Sequence, residues 1–120
     1  MSTANVWCAI AVTFFIVTDY VTGVAKAIMQ NNLNSKKMRE GLGHKFAYII
    51  LVLVAWFIDE INLHVDLGLP ASVFFCTVGG ICLIELTSIL ENITVINPEL
   101  AHAPFMQIFA QSTSGKHKEV

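Results

Sequence analysis

Residues Leu67 to Ile84, LGLPASVFFCTVGGICLI, run for eighteen positions without a charged side chain. A stretch of that length and character reads as a candidate membrane span. Two further apolar runs accompany it. Val6 to Met29 is long enough to cross a hydrocarbon core of about 30 Å at about 1.5 Å per residue. Phe46 to Ile58 has thirteen residues and reaches about twenty-two with its flanks, Leu42–Lys45 and Asp59–Leu63. Lys45 is then free to snorkel at one end, with Asp59 and Glu60 at the other and Tyr48 and Trp56 as an aromatic belt. Bilayer thinning or partner helices would relieve the short middle span.

Composition removes the alternatives. Charged residues make up 13% of the 120 positions, about half the share of a soluble domain. The mean hydropathy is +0.65. A small water-soluble globule has too much surface to cover with so few polar groups. The net charge of −2 argues against a nucleic-acid partner. The chain reads as a single all-α integral membrane domain, residues 1–120, with spans at about 6–28, 43–63 and 67–90. Residues 1–5 carry no Lys or Arg, so the first run is expected to be a span, not a cleaved signal peptide.

Charge distribution orients the spans. The connection 26–45 holds Lys26, Lys36, Lys37, Arg39 and Lys45, the connection 59–66 has no Lys or Arg, and the tail has Lys116 and Lys118. The positive-inside rule places the N-terminus outside, and the basic loop 29–42 and tail 91–120 in the cytoplasm. In that loop Ser35 is expected to cap a short helix, Lys36–Glu40, stopped by Gly41 or Gly43, against anionic headgroups. Pro70 falls in the first turn of the third span. Pro104–Ala110 is expected to lie on the inner surface, before a polar, disordered end. The sequon Asn92-Ile93-Thr94 would be silent on the cytoplasmic side.

Asp19 is the most informative side chain, because a carboxylate in a membrane helix needs a partner, water or a pore. Thr22, Gly23 and Lys26 share its helical face. Two readings stand: contact with another subunit or a pore, or anchoring at the interface by a loop base. Glu85 is read either as a second embedded acid or as a solvated interfacial one. Asp59, Glu60 and Asp66 read as a solvated outer cap. Gly23-x-x-x-Ala27, Cys76-x-x-x-Gly80 and Gly79-Gly80 are candidates for close helix packing. Cys8, Cys76 and Cys82 fit inert packing, and the four histidines are scattered. No catalytic, metal or cofactor site is expected.

Residues 19–45, DYVTGVAKAIMQNNLNSKKMREGLGHK, resemble the signature of a phage holin family that includes holins of toxin-secretion loci. The matching positions are Asp19, Thr22, Gly23, Lys26, Ser35, Lys36, Lys37, Gly41 and Lys45. ELTSILEN, Glu85 to Asn92, followed by Pro98, resembles the family's second motif. The segment after Asn92, ITVIN, departs from the glycine-containing stretch often found there. The resemblance implies a non-enzymatic pore-former in the bacterial inner membrane. It would act with copies of itself and release an endolysin or toxin without stable contact. A small proton-coupled exporter and a non-lytic scaffold or antiholin are the alternatives.

Overall fold

The computed structural model describes residues 2–104 and 108. Among them the chain forms α1 (Thr3–Met29), α2 (Ser35–His64), α3 (Val73–Ile96) and a short 3-10 turn, Pro98–His102. At about 1.5 Å per residue the three helices are about 40, 45 and 36 Å long, each exceeding a hydrocarbon core of about 30 Å. All three are apolar enough to span a membrane.

The helices alternate in direction, and α3 lies between α1 and α2, which touch each other only sparsely. One stripe of each helix faces the others. On α1 it runs through Cys8, Val12 and Ile16; on α2 through Tyr48, Val52 and Trp56; on α3 through Phe74, Val78, Ile81 and Cys82. The steps of three and four keep each stripe on one helical face. Outside the seam the surface is also apolar: Trp7, Phe46 and Leu83 are 65%, 64% and 68% exposed. Apolar surface of that extent is stable against lipid tails and not against water. The chain is a multi-pass membrane protein.

Local chemistry sets the boundaries and corrects several expectations. α1 ends in a Schellman motif. Asn31 takes the left-handed conformation (φ 54°), its N–H donates to Ile28 O, and Asn32 N–H donates to Ala27 O. The α2 N-cap is Asn34, not Ser35; its side chain accepts from Lys36 N–H at 2.8 Å. Gly41 and Gly43 do not end a short helix, and α2 passes through both. Each glycine costs about 1 kcal/mol, and the strong helix formers on either side carry the helix across. Tyr48 and Trp56 turn into the seam instead of forming a belt. Pro70 precedes α3, in a loop where Gly68 has φ +71°. α3 continues six residues past Leu90, and Asn97-Pro98 closes it. The first part of the expected tail 91–120 is the end of α3 and the 3-10 turn, while the expected interfacial segment Pro104–Ala110 and the polar end lie, apart from Pro104 and Ile108, outside the described residues.

Candidate functional site

The seam changes character towards the 30–34 loop. Continuing the stripes by three or four residues brings α1 to Asp19, α2 back to Lys45, and α3 to Glu85 and, a further seven residues on, Asn92. Asp19 and Lys45 each lie ten residues from the loop end of their helix, about 15 Å along the axis. Glu85 is eleven residues from the end of α3, so the three side chains meet at one level.

Lys45 Nζ donates to Asp19 Oδ2 and to Glu85 Oε2, both at 2.7 Å. The side chains are 12%, 13% and 4% exposed for Lys45, Asp19 and Glu85. An ammonium has three protons, and here two go to carboxylates on different helices. One side chain of α2 thereby ties α1 to α3. Asn92, buried on α3, donates from Nδ2 to Asp19 Oδ1 at 3.1 Å and to Thr22 Oγ1 at 3.0 Å. Thr22 Oγ1 in turn donates to Thr18 O at 2.8 Å. The result is a three-helix network with two acids and one base. Both Asp19 oxygens are engaged, as an embedded carboxylate requires.

The opposite end of α2 is tied by another acid. Asp59 accepts from the Ser72 hydroxyl, from Val73 N–H at 2.9 Å and from Phe74 N–H at 3.2 Å. These are the first amides of α3, whose positive end favours a carboxylate. Asp59 is thus an inter-helix cap and not a freely solvated group. α2 is held to α3 through Lys45 at one end and Asp59 at the other.

The remaining expected residues divide clearly. Gly23 faces Asn92: a Cβ there would stand 3.6 Å from Asn92 Nδ2. Lys26 shares a groove with Asp19 without pairing with it. Glu85 is buried, so the solvated reading is wrong for it; α3 carries it in the seam one turn after Ile81. Lys45 turns inward instead of snorkelling. Gly79, Gly80 and Cys76 are exposed, and neither glycine has a neighbour within 4 Å of a Cβ position. Lys36, Lys37 and Arg39 are exposed on the first turns of α2. Asn92 was not expected at the site. Its spacing of seven from Glu85 puts it on the same face of α3, and that is the signal that could have found it. Among the described residues no group of His, Cys, Asp or Glu has the arrangement to hold a metal.

Bacterial proteins match part of the chain. An uncharacterized protein of Halalkalibacterium halodurans is 34% identical over 77 residues, which are 64% of this chain and 57% of that one. An uncharacterized protein of Listeria monocytogenes is 37% identical over 78 residues, 65% of this chain and 52% of that one. A Listeria innocua protein matches to the same extent. The matched part of this chain spans about half the length of these relatives. No solved structure matches it. The model of the bacteriophage holin family matches residues 3–104, which contain all three helices and the whole charged network. The chain belongs to the bacteriophage holin family, whose members are non-enzymatic membrane proteins.

Proposed function

We propose that the chain is a holin that assembles with copies of itself in the bacterial inner membrane and opens lesions through which a cell-wall hydrolase or a toxin leaves. The observation that carries this reading is the Asp19–Lys45–Glu85 network inside an otherwise apolar bundle. Within one chain Lys45 offsets the two acids, so a single copy can reside in lipid. The offset is incomplete, because two carboxylates share one ammonium. An assembly that admits water to this level solvates the network and favours the open form. The N-terminus outside and the basic α1–α2 loop inside complete the proposed topology.

The exposed strip of Cys76, Gly79 and Gly80 supports assembly through α3, because small side chains let helix backbones approach closely. Asp19 acts here as a latch within the chain before assembly and as a water-facing group after it.

The test is inducible expression in a bacterium with and without a leaderless cell-wall hydrolase. The reading predicts abrupt clearing of the culture, after a delay, only when both proteins are made. Continued growth despite confirmed insertion of the chain contradicts it and favours a non-lytic scaffold or antiholin.

A further inference from the structure

A groove of about 370 Å³ opens between the last turns of α1 and the first turns of α2, where these helices barely touch. Its inner end reaches Asp19 and Lys45, and its outer part carries Lys26, Gln30, Asn34 and Lys37. Lys26 is three residues from the end of α1, and Lys37 two residues from the start of α2. Both therefore stand about 10 Å nearer the helix ends than the Asp19–Lys45 pair. α2 carries Lys36, Lys37, Arg39 and Glu40 in its first turns, and α1 and α2 are about 10 and 15 Å longer than a hydrocarbon core, so their basic ends extend towards the headgroups. Among the described residues neither Lys26 nor Lys37 forms an ion pair. Two ammonium groups and two side-chain amides thus line a groove at the basic end of the helices.

We propose that this groove binds the phosphodiester headgroup of an anionic phospholipid, with Lys26 and Lys37 on the phosphate oxygens. Charge complementarity commits the site to an anion. Depth, and the lateral opening between α1 and α2, commit it to a lipid over a free phosphate, because lipid phosphates are concentrated at that plane. The amides of Gln30 and Asn34 offer further polar contacts at the rim. The proposal goes beyond lesion formation and does not depend on it.

The experiment uses the full chain in a non-ionic detergent, titrated with phosphatidylglycerol or phosphatidylcholine and read by native mass spectrometry. The parent chain should retain phosphatidylglycerol in preference to phosphatidylcholine. The double variant Lys26→Gln/Lys37→Gln should bind phosphatidylglycerol about 25-fold more weakly, at about fivefold per lysine near a lipid phosphate. Lys36→Gln/Arg39→Gln removes the same charge from residues outside the groove and should lose much less. If the double variant loses helicity, Lys37→Gln alone, in the exposed first turn of α2, should still lose about fivefold. Equal losses in the two double variants would overturn the site, because only general surface charge would then be at work. Displacement of the lipid by inorganic phosphate at equal concentration would overturn the lipid assignment.

Discussion

Replacing Lys45 by methionine keeps an unbranched, flexible side chain one atom shorter and removes the one cation that meets Asp19 and Glu85 among the described residues. The two acceptor oxygens lie no more than twice 2.7 Å apart. Unscreened by Lys45, two carboxylates at about 5 Å repel by about 3 kcal/mol at an effective dielectric of about 20. Removing one partner of a buried ion pair costs about 3–5 kcal/mol, so the two estimates agree. Little water can take over, because Glu85 keeps only 4% of its side-chain exposure. Lys45→Met is therefore expected to destabilise the bundle by about 3–5 kcal/mol. The triple variant Asp19→Asn/Lys45→Met/Glu85→Gln, which has no embedded charge, should recover most of that loss. The assay is denaturant unfolding in mixed micelles, read by Trp56 fluorescence in a Trp7→Phe background. Trp56 packs against the seam, while Trp7 is exposed, so the signal reports helix association. A Lys45→Met chain within about 1 kcal/mol of the parent would show that the ammonium does not hold the two acids together. So would a triple variant no more stable than Lys45→Met.

Asp59→Ala removes the cap on α3 and should cost about 1–2 kcal/mol, with hydrogen exchange of the Val73 and Phe74 amides accelerating about tenfold. Unchanged exchange at those amides would show that the cap is dispensable. Asn92→Leu leaves Asp19 Oδ1 without its amide donor and should lose about 2 kcal/mol in the same unfolding assay. Gly23→Ala should stay within about 1 kcal/mol of the parent, since its Cβ meets Asn92 at an ordinary contact distance. Gly23→Leu should displace Asn92 and cost about 1–3 kcal/mol. If copies meet along α3, mild oxidation of membranes should yield a Cys76-linked dimer that Cys76→Ser abolishes; oxidation without that dimer would move the interface to another face.

The three spans were legible in the sequence because hydrocarbon thickness sets a length that composition alone can meet. Their ends were less legible. Pro70 and Gly68 lie inside an uninterrupted apolar run, and only the pairing of Ser72 with Asp59 fixes the start of α3 at Val73. Gly41 and Gly43 read as a stop, yet the formers around them keep α2 continuous. Asp19, Thr22, Gly23 and Glu85 could be singled out by chemistry, since polar groups among apolar ones are costly in lipid. What the sequence did not reveal was who meets whom. In water the polar face of a helix marks its outside, whereas in lipid the seam and the outer face are both apolar. Lys45 therefore looked like an anchor at the end of a short span, although it shares a face with Tyr48 and Val52 and turns inward with them. The loop base weighed for Asp19 is Lys45, which belongs to the continuous α2. Asn92 attracted notice as part of a sequon and as the last residue of ELTSILEN, while its register with Glu85 put it in the network.

Lesion formation is tested by expressing the chain from an inducible promoter and following membrane potential and release of a folded cytoplasmic reporter enzyme in the same culture. Both are expected to fail abruptly and together after a delay. Neither changing, with the chain inserted at parent levels, would contradict lesion formation. Loss of potential with the reporter retained would contradict openings wide enough for a folded hydrolase.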